Sequence, residues 1–210
     1  SLERLTMVDI DAEVVAACRE HLPKHHMGAF DDPRVNLVHE DAVTFLRSLP
    51  DGCLDIVVSD MTDPVQGGPS TFCFTVEYFT EIARVLRPHG VLAVQAGPAS
   101  PIEVALHAKV IRTMAAVFPF VIPYAVDAPC YGRDLGFVIA SQSDLIGRLE
   151  VAAIEELADR ISGEHRWITA ELLRGKLSVP PYLAAEIAAR TDVYRDEAPP
   201  ATAGAAGWEA

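Results

Sequence analysis

Short apolar runs alternate along the chain with longer segments in which polar and apolar residues mix. The runs have the length and composition of strands, and the longer segments carry apolar residues at the spacing typical of helices. The predicted strands are residues 5–8, 35–38, 54–59, 90–96, 120–126 and 136–141. The predicted helices are residues 12–22, 42–49, 76–86 and 102–118. This alternation predicts an α/β fold with an open, mostly parallel sheet and helices on both faces.

The last part of the chain departs from this alternation. No predicted helix separates the last two predicted strands, so they predict an antiparallel hairpin at one edge of the sheet. Residues 145–190 are predicted as mostly helical, and the low-complexity end of the chain predicts a disordered tail. The sequence therefore predicts one domain over residues 1–190 and a tail over 191–210.

The charge of the chain limits the kinds of partner that suit it. The 30 acidic and 17 basic residues give a formal net charge of −13. Nucleic acids and anionic membrane surfaces are recognised by basic faces, so neither is an expected partner. A cationic ligand suits this charge better, although the charge also serves solubility without any ligand.

The cysteines and the apolar runs bear on the location of the protein. The four cysteines lie far apart and include no C-x-x-C pair, so neither a zinc site nor a disulfide framework is predicted. No apolar run in the sequence is long enough to span a bilayer, and no serine-hydrolase, Walker or zinc-protease motif occurs in it. Reduced thiols favour a cytoplasmic location, and no metal centre is expected.

Acidic residues follow three successive predicted strands at the point where each strand ends. They are Asp9, Asp41 and Asp60. In an open parallel sheet, ligands bind beyond the carboxyl ends of the strands. Asp9 is placed there to accept hydrogen bonds from a ribose diol, and Asp41 to accept one from the exocyclic amine of adenine, with the Ala42 backbone nearby. Each acid can instead cap the following helix. We favour the cap for Asp11, and ligand binding for Asp9 and Asp41.

A second carboxylate accompanies Asp60 in the loop after the third predicted strand. Two residues separate Asp60 from Asp63, and Pro64 favours an extended backbone at Asp63. Two acids in a cleft can hold a cation, and one of them can accept a proton as a general base. A plain turn containing proline also explains the pattern. Tyr131, in a later loop, can line the same cleft or be an aromatic residue of an edge loop.

Several stretches carry a resemblance to a known family, and they are residues 7–11, 32–35, 40–42, 55–64, 86–91, 129–137 and 177–180. Together they resemble the spermidine synthase family, the polyamine aminopropyltransferases. The resemblance covers about residues 5–185, and its most specific part is the D-x-x-D-P loop that follows a V-D-I-D strand. It implies a Rossmann-like sheet of the class I methyltransferase type.

The resemblance also implies a reaction and the residues that carry it out. Decarboxylated S-adenosylmethionine would donate an aminopropyl group to a di- or polyamine such as putrescine, with release of methylthioadenosine. Under the family's pattern the donor-binding residues are Asp9, Asp41 and Ala42, and the amine-binding residues are Asp60, Asp63 and Tyr131. Asp60 would also accept the proton. The donor is a co-substrate, so no tightly bound cofactor is expected, and the family suggests a homodimer or larger homo-oligomer.

The sequence departs from the family's pattern in three places. The family's glycine-rich nucleoside loop and its small N-terminal β domain belong before residue 1, so the resemblance is to the C-terminal, catalytic part of these enzymes. The loop after Asp63 has one residue more, and the loop of Tyr131 one fewer, than the family's pattern. These differences leave the identity of the acceptor amine open.

Two alternative functions are compatible with the same fold. A class I methyltransferase would use intact S-adenosylmethionine, whose carboxylate the acidic pair Asp60 and Asp63 would repel. Its product would be S-adenosylhomocysteine rather than methylthioadenosine. A non-catalytic nucleoside-binding or regulatory module would keep the fold, and the missing glycine-rich loop is consistent with it.

Overall fold

The computed structural model describes residues 2–64, 68–144, 151–160 and 169–200. The strands in these parts are β1 (Leu5–Val8), β2 (Val35–Val38), β3 (Leu54–Ser59), β4 (Leu86–Pro98), β5 (Phe120–Ala128) and β6 (Arg133–Ser141). The helices are α1 (Ala12–His21), α2 (Pro23–His26), α3 (Ala42–Ser48), α4 (Val76–Val85), α5 (Ala105–Ala115), α6 (Val151–Asp159), α7 (Ala170–Lys176) and α8 (Pro181–Ala189). Short 3₁₀ turns lie at Ala29–Asp31 and Thr71–Phe74.

These elements fall into two compact units, residues 1–50 and residues 51–210. The first unit contains the sheet of β1 and β2, and the second contains the sheet of β3 to β6. The division of the chain into one domain over 1–190 and a tail over 191–210 stays a prediction.

The first unit is built on the parallel pair β1 and β2. The two strands are in register from Leu5 opposite Val35 to Val8 opposite Val38. Asp11 caps the start of α1, and its carboxylate accepts hydrogen bonds from two backbone N–H groups of the first turn. The favoured interpretation of Asp11 as a helix cap is therefore confirmed. Because the strands are parallel and end at the same level, the residues that follow them lie at the same edge.

The second unit contains a four-stranded sheet in the order β3-β4-β6-β5. β3 and β4 are parallel, and β6 is antiparallel to both β4 and β5. The predicted hairpin is formed by β5 and β6, which pair from Phe120 opposite Ser141 to Ala128 opposite Arg133. The predicted α/β class with an antiparallel edge hairpin is confirmed. α4 connects β3 to β4, as a crossover between parallel strands requires.

Apolar packing fixes α4 to this sheet. Phe79, Ile82 and Val85 are fully buried and recur at helical spacing, so they form one face of the helix. Leu92 and Val94 of β4 are buried as well. Burying a side chain of this size contributes about 1.5–3 kcal/mol. This packing holds α4 in place, and the first turn of α4 contacts the end of β3, which precedes the site described below.

β4 is longer than the sequence predicts. The sequence predicts a strand over residues 90–96, but β4 runs from Leu86 to Pro98. Pairing with β3 begins at Leu86, opposite Leu54, and becomes regular after an irregularity. Strand pairing therefore overrides the proline and glycine that the local pattern takes as a stop.

The C-terminal part of the chain packs on helices of the second unit. Residues 191–200 belong to the segment predicted as a disordered tail, yet the N–H of Tyr194 donates to Oγ1 of Thr113 at 3.1 Å. The ammonium of Lys109 lies 4.2 Å from the centroid of the Tyr194 ring. Composition cannot reveal such contacts, because their partners are distant in sequence. Residues 201–210 lie outside the described part of the chain.

The helices α6, α7 and α8 fall within residues 145–190, which the sequence predicts as mostly helical. Residues 145–150 and 161–168 of that stretch lie outside the described ranges. Within those ranges, no helix combines the length and the apolar character needed to cross a membrane.

Candidate functional site

Asp9 and Asp41 lie at the carboxyl edge of the β1–β2 pair. The N–H of Asp9 donates to the carbonyl of Val38 at 3.0 Å, which continues the pairing beyond β1. Its Oδ1 accepts a hydrogen bond from the N–H of Asp11 at 2.9 Å, so the side chain is held against the start of α1. Asp9 and Asp41 are both half-buried. The first unit thus brings to one edge the two acids that the sequence assigns to a nucleoside.

Asp41 is also the N-cap of α3. Its Oδ1 accepts hydrogen bonds from the backbone N–H of Thr44 at 2.8 Å and from the hydroxyl of Thr44 at 3.0 Å. Both bonds go to Oδ1, so Oδ2 can bind a ligand amine at the same time. Ala42 is the first helical residue, and its N–H has no acceptor within the helix. The cap and the ligand-binding interpretations of Asp41 are therefore compatible.

Asp60 is the first residue beyond β3, at the carboxyl edge of the second sheet. The preceding residue, Ser59, pairs opposite Val94 and is only 3% exposed, whereas Asp60 itself is exposed. Asp63 is exposed as well, and the following Pro64 is buried. The two carboxylates therefore lie in an exposed segment that is flanked by two buried residues, Ser59 and Pro64.

Gln95 of β4 contacts this loop, and it is not among the predicted site residues. In one orientation of its amide, Nε2 lies 3.4 Å from Oδ1 of Asp63. In the other, Nε2 donates to the carbonyl of Met61 at 3.1 Å and Oε1 accepts from the N–H of Gly97 at 3.2 Å. We adopt the second orientation because it satisfies both ends of the amide. The available signal was a lone polar residue in the apolar run 91–96.

Tyr131 lies in the turn of the β5–β6 hairpin, at the same edge of the second sheet. β6 runs antiparallel to β4, with Leu135 opposite Pro98, so the hairpin turn lies beyond the carboxyl end of β4. The N–H of Tyr131 donates to the carbonyl of Ala128 at 2.9 Å, and the residue is 64% exposed. β3 and β6 are two strand spacings apart, about 10 Å. A flexible ligand several methylenes long can span that distance.

His107 of α5 supports the carboxyl end of β4. Its ring is fully buried, and Nδ1 donates to the carbonyl of Ala96 at 3.1 Å. Burial lowers the pKa of His107 from 6.5 to about 4, although the hydrogen bond to Ala96 opposes the shift. Among the described residues, Nε2 has no hydrogen-bond partner. The neutral ring therefore carries its proton on Nδ1, and its role is to support the strand that carries Gln95.

The second unit offers the groups of a cation-binding site. Two exposed carboxylates lie in the loop after β3, and the amide of Gln95 and the phenol of Tyr131 belong to the same edge of the sheet. An ammonium group can pair with a carboxylate, and the remaining groups can accept hydrogen bonds or line an alkyl chain. Over the ranges that the structure covers, no group of three or more His, Cys, Asp or Glu side chains could hold a metal ion.

Comparison with known proteins identifies the family. Residues 1–148 match the sequence model of the spermine/spermidine synthase domain. The chain belongs to the spermine/spermidine synthase family. It is 43% identical over 204 residues to the polyamine aminopropyltransferase of Synechococcus sp. (strain JA-2-3B'a(2-13)), covering 95% of this chain and 65% of that relative. It is 40% identical over 141 residues to the polyamine aminopropyltransferase of Aeropyrum pernix, covering 67% of this chain and 45% of the relative.

Comparison with solved structures identifies the fold. The spermidine synthase from Thermotoga maritima superposes with a TM-score of 0.76 at 21% identity, over 89% of this chain and 60% of that one. A spermidine synthase in complex with the transition state analogue AdoDATO superposes with a TM-score of 0.79 at 22% identity, over 89% and 61% of the two chains. At these identities the likeness establishes the fold alone. The present chain spans 65% of the length of the Synechococcus relative.

Proposed function

We propose that this protein transfers the aminopropyl group of decarboxylated S-adenosylmethionine to a di- or polyamine such as putrescine. The observation that carries the proposal is the acidic loop of Asp60 and Asp63, anchored at the carboxyl edge of the second sheet. Membership of the spermine/spermidine synthase family supports the same reaction. The family assignment favours aminopropyl transfer over methyl transfer.

The reaction needs a carboxylate because its nucleophile is an amine. An aliphatic amine, like the side chain of lysine, has a pKa of about 10.4, so at neutral pH it carries a proton and has no lone pair with which to attack. Asp60 would pair with the ammonium and accept its proton as the attack begins. Asp63 and Tyr131 would bind the rest of the amine chain, at the same edge of the sheet.

The transfer itself is a displacement at carbon. The nitrogen lone pair of the acceptor amine forms a new bond to the carbon of the aminopropyl group that is attached to sulfur. The bond between that carbon and the sulfonium sulfur breaks, and its electron pair stays on sulfur, so the leaving group is neutral methylthioadenosine. The amine proton goes to Asp60. Because the sulfonium is a good leaving group, the protein's main contribution is to hold the nitrogen in line with the carbon–sulfur bond.

The donor's nucleoside is assigned to the first unit. Asp9 would accept hydrogen bonds from the ribose hydroxyls, and Oδ2 of Asp41 would accept one from the adenine amine. The backbone of Ala42, at the first turn of α3, would donate to the adenine ring. The donor enters and leaves with each turnover, so it is a co-substrate and not a resident cofactor.

We also propose that the protein is a cytoplasmic homodimer or larger homo-oligomer. The oligomeric state is suggested by the resemblance to the family. The proposed location rests on the spacing of the four cysteines, which lie far apart in the sequence and include no C-x-x-C pair. Light scattering coupled to gel filtration tests the oligomeric state. An eluted mass equal to one chain would contradict a homo-oligomer.

The test of the reaction is a mass-spectrometric assay of the complete encoded polypeptide. It is mixed with decarboxylated S-adenosylmethionine and separate amines: putrescine, cadaverine, agmatine and spermidine. We expect methylthioadenosine and one aminopropylated amine, whose mass names the acceptor. A second reaction with intact S-adenosylmethionine serves as the control. Release of S-adenosylhomocysteine there, with no methylthioadenosine in the first reaction, would contradict the proposal in favour of methyl transfer.

A further inference from the structure

We propose that Tyr78 and Asp196 are positioning residues for Asp60. They belong to a hydrogen-bonded chain that runs from Asp196 through Thr75 and Tyr78 to Ser59, the residue immediately before Asp60. The inference rests on the proposed function only for the chemical role of Asp60. The chain of contacts itself lies within the second unit.

The link nearest to the site is the bond between Ser59 and Tyr78. Oγ of Ser59 and the phenolic oxygen of Tyr78 are 3.1 Å apart, and the two residues are only 3% and 4% exposed. Buried hydroxyl groups lose their water, so this protein–protein bond is costly to break. Asp60 is exposed and follows directly. The bond therefore holds Ser59, the last buried residue before Asp60, in place.

The middle link is Thr75, which caps α4. Its hydroxyl accepts a hydrogen bond from the N–H of Tyr78 at 3.3 Å. The same hydroxyl lies 2.7 Å from Oδ1 of Asp196 and 3.1 Å from the carbonyl of Phe72. The shorter bond to a charged acceptor is the stronger one, so the hydroxyl proton points to Asp196. Its lone pairs are then directed toward α4, where they hold the N–H of Tyr78.

The C-terminal segment is itself held on the first turn of α4. The N–H of Val76 donates to the carbonyl of Tyr194 at 2.9 Å. The N–H of Asp196 donates to Oε2 of Glu77 at 3.0 Å, and Arg195 pairs with Oε1 of Glu77 at 3.4 Å. These bonds bring Asp196 to the hydroxyl of Thr75 and keep it there. A residue far along the chain is thereby connected to the loop that follows β3.

The other side of Asp60 is held by Gln95, whose amide donates to the carbonyl of Met61. Asp60 thus lies between two anchored neighbours, Ser59 and Met61. Releasing one anchor lets the carboxylate move without removing any group that binds the amine or the nucleoside. A small misplacement of a reacting group slows the chemical step more than it weakens binding. The expected signature is therefore a lower kcat with little change in KM.

The experiment is hydrogen–deuterium exchange of the complete encoded polypeptide, followed by mass spectrometry. Tyr78→Phe removes the hydroxyl and keeps the ring. We expect exchange in a peptide that covers residues 54–64 to be about 10-fold faster, and exchange in residues 136–141 of β6 to be unchanged. Tyr194→Phe is the matched control, because the ring and the backbone bonds of Tyr194 remain, and it should exchange like the wild type.

A second set of variants tests the remote end of the chain. Asp196→Ala removes the acceptor of the Thr75 hydroxyl and should reproduce the exchange of Tyr78→Phe at residues 54–64. Asp196→Asn keeps Oδ1 as an acceptor and should stay close to the wild type. In the kinetic assay, Tyr78→Phe and Asp196→Ala should lower kcat about 10-fold and leave the amine KM within about twofold.

The predictions for hydrogen exchange and for activity can be contradicted independently of each other. Unchanged exchange at residues 54–64 in Tyr78→Phe would overturn the inference. Equal acceleration at residues 136–141 would overturn it too, because the effect would then be a general loss of stability. A raised KM with unchanged kcat would show that the contacts serve binding and not positioning. If the wild type releases no methylthioadenosine but the exchange pattern is as expected, the proposed function fails while the positioning chain stands.

Discussion

Gly136 of β6 lies so close to the ring of His107 that a side chain has no room. A Cβ atom at Gly136 would lie 2.8 Å from Cγ of His107 and closer still to Nδ1. The ring cannot move aside, because it is fully buried and its Nδ1 donates to the carbonyl of Ala96. The glycine is therefore required by packing. It lets α5 approach the sheet closely enough to support the end of β4.

Gly136→Ala should accordingly destabilise the protein. The added methyl group overlaps the ring and must displace it or bend β6, so we expect a loss of about 3 kcal/mol in the free energy of unfolding. Urea denaturation measures it. Gly175→Ala is the matched control, because a Cβ at Gly175 meets no atom within 4 Å and the residue lies in α7. That variant should be neutral or slightly stabilising. Equal stability of the two variants would contradict this packing.

Acid should destabilise the protein through His107. Its pKa is about 4 in the folded state and 6.5 for the free group, so between these values the unfolded chain binds a proton that the folded protein does not. The stabilising contribution is complete above pH 6.5 and is lost as the pH falls to about 4. The difference in pKa corresponds to about 3 kcal/mol over this window.

Urea denaturation at several pH values tests this contribution. His107→Gln can still donate a hydrogen bond toward Ala96 but does not titrate, so its free energy of unfolding should fall less steeply between pH 7 and pH 4.5. The informative quantity is the difference in slope between the two proteins, since other groups titrate in both. Identical slopes would mean that His107 is not held neutral by burial.

Asp41 should have separable roles in stability and in binding. Asn is nearly as good a helix cap as Asp, so Asp41→Asn should leave the free energy of unfolding within about 0.5 kcal/mol of the wild type. It removes the charge that would face the adenine amine, so calorimetric affinity for methylthioadenosine should fall about tenfold. Asp11→Asn, at the cap of α1, is the matched control and should change neither quantity. Wild-type affinity in Asp41→Asn would return Asp41 to a purely structural role.

The sequence alone predicts elements whose apolar runs are short and sharply bounded. β1 and β2 have the predicted bounds, because polar residues stand directly at their ends. The placement of Asp60 and Tyr131 at one edge of the second sheet also follows from topology alone. The ends of the predicted strands and the predicted hairpin are enough to place both residues, without knowledge of any side-chain contact.

The sequence could not predict features that depend on distant partners. The apolar spacing predicts α5 over residues 102–118, but the helix is Ala105–Ala115. Ile102 continues the apolar pattern and is nevertheless 92% exposed, in a turn. Gln95 gains its importance from a contact with Met61 in the loop after β3, and Tyr78 from a contact with Ser59 at the end of β3. No local pattern in the sequence marks such contacts. The anchoring of residues 194–196 could not be predicted for the same reason.

The central claim is that Asp60 accepts the amine proton in aminopropyl transfer. The direct test compares methylthioadenosine release by the wild type and by Asp60→Asn, with donor affinity measured in parallel by calorimetry. Asp159→Asn, an exposed aspartate at the end of α6, is the control and should match the wild type. We predict that Asp60→Asn lowers kcat at least about 100-fold while donor affinity stays within about twofold. An Asp60→Asn protein that keeps most of the wild-type rate would contradict the account.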